Sequence, residues 1–150
     1  YTTINPSGQI LASGSSDGTV KIWNLLSGSC VKTIEADSYW VLPVGFSPDG
    51  QVLALADKTT VQLWNISTGE YIKTLQGDTT NPWLKSIAFS PDGKLLATGS
   101  EDCTVKLWDI NTGECIKTLQ GHTDWVWSIS FNSDGQILAS AAGNYDKTVK

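Results

Sequence analysis

Short runs in which apolar and polar residues alternate, separated by turn residues, fill the chain. Thr19-Val20-Lys21-Ile22-Trp23, Thr60-Val61-Gln62-Leu63-Trp64 and Thr104-Val105-Lys106-Leu107-Trp108 put apolar side chains at every second position and are rich in β-branched residues. That period predicts strands. Each run is followed by Ser27-Gly28, Thr68-Gly69 or Thr112-Gly113 and then by a further strand-like run, such as Cys115-Ile116-Lys117-Thr118-Leu119. Upstream lie Asn5-Pro6-Ser7-Gly8, Ser47-Pro48-Asp49-Gly50, Ser90-Pro91-Asp92-Gly93 and Asn132-Ser133-Asp134-Gly135, whose glycines are spaced by 42, 43 and 42 residues. Proline presets the second position of a type I turn, and glycine accepts the left-handed conformation that ends it. These are hairpin turns. Trp23, Trp64 and Trp108 follow the first three of these glycines by 15, 14 and 15 residues. The pattern therefore predicts an all-β chain built from a repeat of four strands.

The repeat resembles that of the WD40 family, which carries a Gly-His pair, a Phe-Ser-Pro-Asp-Gly turn, a Leu-Ala-Ser-Gly-Ser strand and a closing Trp-Asp. Gly121-His122, Phe89 to Gly93, Leu96 to Ser100 and Trp108-Asp109 match these elements. The resemblance implies a segment of a β-propeller, with antiparallel blades set radially about a channel. It divides the chain into three full four-stranded blades and an incomplete fourth, at approximately 1–36, 37–77, 78–121 and 122–150, the last stopping inside its third strand. Tyr1 then falls in the innermost strand of the first blade. The ring is expected to be completed by further blades of a longer chain or by a second copy, and the isolated 150-residue polypeptide is not expected to be a stable monomer.

Composition narrows the partners. The net charge is -5, and all ten basic residues are lysines scattered along the chain. Phosphate binding draws on clustered Lys and Arg, so neither nucleic acid nor an anionic membrane is expected as a partner. Cys30, Cys103 and Cys115 are odd in number and lack CxxC spacing, which fits reduced thiols and a cytoplasmic setting better than a disulfide framework. No apolar run approaches the roughly 20 residues of a membrane-spanning helix.

His122, Ser140 and Asp146 are the residue types of a nucleophilic triad. The family resemblance implies another role for them. In WD40 blades a His, a second-strand Ser or Thr, an Asp in the next turn and the third-strand Trp form a buried hydrogen-bond network. Ser13, Asp17 and Trp23 occupy three of these places in the first blade, Thr98, Asp102 and Trp108 in the third, and Trp64 one in the second. No catalytic residues are assigned. Asp37 and Asp78 stand where histidine is expected, and Leu55 replaces the Ser or Thr of the second blade, so that blade is expected to be the least well tied. No metal site or cofactor is predicted, since the single histidine lacks a partner at ligand spacing. Gly14-Ser15-Ser16-Asp17-Gly18 lacks the lysine and following helix of a phosphate loop.

A second tryptophan series points to recognition. Trp40, Trp83 and Trp125 each precede an inner-strand phenylalanine (Phe46, Phe89, Phe131) by six residues, and Trp127 follows Trp125 on the same strand. By resemblance, this entry region lies on the face that family members most often use for partners. The indoles act there either as hot spots or as plugs between blades. The expected function is a non-catalytic scaffold or recognition module that binds protein, similar to the propeller half of bacterial WD40 arrays attached to signalling proteins. A purely structural segment is the alternative, and a propeller enzyme the third.

Overall fold

The computed structural model describes residues 1–36, 43–76 and 83–150. The first sheet runs in the order β1 (Thr2–Ile4), β2 (Ile10–Gly14), β3 (Thr19–Asn24), β4 (Cys30–Glu35). The second is β5 (Val44–Phe46), β6 (Val52–Ala56), β7 (Thr60–Asn65), β8 (Tyr71–Gln76), and the third β9 (Leu84–Phe89), β10 (Leu95–Ser100), β11 (Val105–Asp109), β12 (Cys115–Leu119). The fourth holds β13 (Val126–Phe131) and β14 (Leu138–Ala142). Beyond β14, Val149 bridges Ala141, and Ser140 and Lys150 exchange backbone hydrogen bonds of 2.8 and 2.9 Å. The architecture is the propeller segment that the resemblance implied, three four-stranded antiparallel blades and a partial fourth.

The predicted turns are built by short polar side chains. Ser47 Oγ lies 2.5 Å from Asp49 Oδ1 and accepts from the amide of Val52, and Ser90 does the same with Asp92 and Leu95. These bonds hold the carboxyls of Asp49 and Asp92 below their ordinary value, the serine hydroxyl being the first cause in both. Gly8, Gly50, Gly93 and Gly135 have φ between 71 and 73°, the left-handed conformation that closes each turn.

Among the described residues the blades meet through three apolar clusters, each drawn from two neighbours. Ala12, Val20, Ile22 and Ile34 of the first blade cluster with Val44, Leu53 and Leu55 of the second. Ala54, Ala56, Val61, Leu63 and Leu75 of the second cluster with Leu84, Leu96 and Trp108 of the third, and Ala97 and Val105 of the third with Val126 and Ile129. The dipeptide Leu-Ala at 53–54 and 96–97 produces this division. Side chains of a strand alternate faces, so Leu53 and Leu96 turn to the preceding blade and Ala54 and Ala97 to the following one. A large residue thus meets a small one across each seam. Gly99 carries this to its limit, since a Cβ there would stand 2.8 Å from Val126 Cγ1 and 2.9 Å from Val126 O.

Two other contacts recur along the seams. A methyl group on Gly50, Gly93 or Gly135 would lie 3.3, 3.6 or 3.3 Å from the Cδ of Pro6, Pro48 or Pro91 respectively, so each turn stacks on the turn of the blade before it. At the rim, Lys32 Nζ donates to Thr68 O at 3.5 Å, and Lys73 Nζ to Ile110 O and Asn111 O at 3.2 and 2.6 Å. The outer strand of one blade is thereby tied to the last turn of the next.

This packing sets the sign of two substitutions. Leu96→Ala should cost about 2–5 kcal/mol by opening a cavity in the seam between the second and third blades. Ala54→Leu, although more apolar, should cost about 1–3 kcal/mol because the facing leucine already fills the space. Urea denaturation of the two variants checks both, and stabilisation by Ala54→Leu would contradict the assignment of this face.

Candidate functional site

The inner strands β9 and β13 are neighbours, which brings the entry tryptophans of the third and fourth blades together. Trp83 immediately precedes β9, and Trp125 immediately precedes β13, on which Trp127 lies. Position 85 in the third repeat corresponds to position 127 in the fourth, and a lysine stands there. Lys85 is buried, and its ammonium sits 5.4, 5.1 and 5.3 Å from the ring centroids of Trp83, Trp125 and Trp127. Glu101 Oε1 pairs with it at 2.7 Å. The backbone amide of Glu101 donates to Trp83 O at 3.0 Å, which fixes the carboxylate beside the cage. Lys58 Nζ lies 5.6 Å from the Trp83 centroid.

Three indoles therefore converge on one ammonium. A cation over an aromatic face is attracted by the ring quadrupole, by about 2 kcal/mol or more where water is excluded. Trp125 and Trp127, 5.7 Å apart between centroids, nevertheless keep 42 and 47% of their surface exposed. A hollow lined by Asp124, Trp125, Trp127, Asn144 and Tyr145 opens beside them. Trp40, the remaining member of the series, lies outside the described residues, as do Asp37 and Asp78.

The triad-like residues also meet. His122 Nε2 is 2.8 Å from Ser140 Oγ, and Nδ1 is 3.0 Å from Asp146 Oδ2. Asp146 further accepts from the amide of Thr123 at 2.7 Å and from the hydroxyl of Thr148. The Thr148 hydroxyl first, then the Thr123 amide and His122, hold its carboxyl well below the usual carboxylate range. The side chains of His122 and Asp146 are 4 and 3% exposed, and Ser140 is buried. Acyl transfer needs a nucleophile open to substrate beside oxyanion donors, whereas Ser140 is buried against His122.

In the first and third blades the tryptophan takes the second-strand acceptor. Trp23 Nε1 donates to Ser13 Oγ at 2.9 Å and Trp108 Nε1 to Thr98 Oγ1 at 3.0 Å. Asp17 and Asp102 stay within their turns, each accepting from the amide and hydroxyl of the threonine two residues on. The second blade solves the loss of its Ser or Thr differently. Trp64 Nε1 donates to Gln62 Oε1 at 3.1 Å. Gln62 pairs directly with Leu55 across β6 and β7, as Lys106 pairs with Thr98, so the acceptor has moved one strand outward on the same face.

Sequence reasoning missed Gln62, Lys85, Glu101 and Tyr145. Comparison of equivalent positions offered a clue for two of them: glutamine stands where the flanking repeats have Lys21 and Lys106, and Lys85 where the next has Trp127. Among the described residues no group of three or more His, Cys, Asp or Glu is placed to hold a metal ion, and no helix is long and apolar enough to cross a membrane.

A family model described as "WD domain, G-beta repeat" matches residues 2–24, 69–109 and 113–150. Among curated proteins, the chain is similar to the nuclear distribution protein PAC1 of Mycosarcoma maydis, 46% identical over 46 residues, covering 31% of this chain and 10% of that protein. It is 47% identical over 57 residues to a ribosome biogenesis protein BOP1 homolog of Caenorhabditis elegans, covering 36% and 8%. It is also 45% identical over 56 residues to eukaryotic translation initiation factor 3 subunit I of Aspergillus terreus, covering 37% and 16%. Each match thus spans a small part of the relative. These matches lend no support to the expected likeness to bacterial arrays.

The relocated acceptor in the second blade yields a test by exchange. Gln62→Lys should cost about 1–3 kcal/mol by removing the partner of the Trp64 indole. Adding Leu55→Thr, which recreates the Thr98 and Lys106 pair of the third blade, should recover most of that loss in urea denaturation. No recovery would mean that the Trp64 bond contributes little.

Proposed function

The chain belongs to the WD40 repeat family, and from that membership we propose that it is a non-catalytic protein-interaction module whose rigid blades present Trp83, Trp125 and Trp127 to a protein partner. Trp40 is assigned to the same face by its place in the repeat. One observation carries the reading: Trp125 and Trp127 are half-exposed side by side while Lys85, with its own counter-ion, holds their inner sides in place. Large aromatics anchored from behind and open in front are favoured as interface hot spots. The module is the binding or sensor part of a larger signalling protein, works in the cytoplasm, and binds neither nucleic acid nor membranes, in keeping with its negative charge. One relative, a subunit of translation initiation factor 3, is by its name a component of a protein complex.

On this reading Ser13, Asp17, Trp23, Trp64, Thr98, Asp102, Trp108, His122, Ser140 and Asp146 fasten the blades and do no chemistry. A second reading, that the segment serves to complete a ring with further blades or a second copy, is favoured by Ala139. This residue is exposed, whereas its counterparts Ala54 and Ala97 are buried in seams.

The experiment compares the intact protein with Trp125→Ala and Trp127→Ala. A partner recovered from the source organism is identified, purified and titrated. Each variant should lose about 2 kcal/mol of binding or more, some 30-fold in Kd, with little change in thermal midpoint. Variants that unfold, yet bind normally when folded, would assign the indoles to filling the seam. Ser140→Ala should lower stability by about 1–3 kcal/mol, and loss of a measured hydrolytic turnover without loss of folding would overturn the non-catalytic reading.

A further inference from the structure

The hollow beside Trp125 and Trp127 has a volume of about 260 Å³, room for one long side chain and not for a folded element. Its walls are aromatic: the two half-exposed indoles and Tyr145, which is 92% exposed. Its one ionisable wall residue besides that phenol is Asp124, whose Oδ1 accepts from the Trp125 amide at 2.8 Å and Oδ2 from the Tyr145 amide at 2.9 Å. Those bonds fix the carboxylate in place and leave it further lone pairs for a donor.

Resting on the reading of this face as a docking surface, we infer that the hollow takes the cationic side chain, lysine or arginine, of a basic segment in the partner protein. The molecule already shows that these indoles accept an ammonium, since Lys85 lies against Trp125 and Trp127 from the inner side. That ammonium is matched by Glu101 at 2.7 Å, so the cage does not present an uncompensated positive charge to a second cation. Lys150, on the same blade, is likewise held at the Thr148 hydroxyl and acts on Asp146. Carboxylates of the third and fourth blades gather beside this hollow. Burial first, then the carboxylates of Asp124, Asp102 and Asp146, push the Cys103 thiol up from its ordinary value. An acidic partner group would meet Asp124 head on, and an apolar one would strip it of water with nothing in return. A basic side chain instead finds a carboxylate and aromatic faces at once.

The test labels the intact protein with 5-fluorotryptophan and assigns the Trp125 and Trp127 fluorine resonances by Trp→Phe replacement. It titrates three capped pentapeptides with Gly at positions one, three and five and Lys, Gln or Glu at the other two. The lysine peptide should shift both resonances saturably, at least fivefold more tightly than the glutamine peptide, and the glutamate peptide should leave them unmoved. Asp124→Asn should remove the preference for lysine, and Trp127→Ala should weaken the shift of the Trp125 resonance at least fivefold. An unaltered Trp108 resonance, from a buried indole, reports that each variant is folded. Equal response to lysine and glutamine peptides, or a preference that survives Asp124→Asn, overturns the cationic assignment and leaves the docking face standing. No response to any peptide overturns it as well. The docking face itself falls only if the purified partner binds Trp125→Ala and Trp127→Ala as tightly as the parent.

Discussion

Each of the three apolar clusters among the described residues is shared between two neighbouring blades, so a blade gains its stability from its neighbours. β6 shows why. Leu53, Ala54, Leu55 and Ala56 are all buried, two toward each neighbour, so the strand has no solvent face along this stretch. Stability in such an array is a sum over seams. The turn of one repeat stacked on the next and the lysines reaching across the rim are secondary fastenings on the same joints. Because each seam pairs large with small, the angle between blades is fixed by side-chain volume, and the entry loops of adjacent blades are held at a fixed spacing.

That fixed spacing places the candidate recognition face. Lys85 and Trp127 sit at the same repeat position on adjacent inner strands, and only the docking of the third blade on the fourth converts equivalent places into touching ones. Gly99 permits the approach. Trp83 and Trp125 then close on the same ammonium from the two entry segments. The face is a product of the seam, not of any one blade.

The local part of this was legible in the sequence. Alternation, turn chemistry and spacing carried the strands, the hairpins and the order of sheets, because those depend on residues close in the chain. The family resemblance grouped Trp23 with Ser13 and Trp108 with Thr98, and each of these pairs is hydrogen-bonded. Leu55 removes the second-strand acceptor that the second blade was expected to use. Gln62 supplies the acceptor, a compensation visible only once the register of β6 and β7 shows the two residues opposite each other. Lys85 was illegible for a related reason. A lysine on a strand reads as solvated, and its burial depends on indoles about 40 residues away that arrive with the next blade.

Native-state hydrogen exchange on a chain carrying Leu53→Ala tests the shared core most directly. Leu53 belongs to the second blade but fills the seam with the first. If that seam is a joint structural unit, amides of β2 and β3 should lose protection together with those of β6 and β7, by a comparable free energy. Loss of protection confined to β6 and β7, with β2 and β3 unchanged, would show that the blades hold their own cores and would contradict the account.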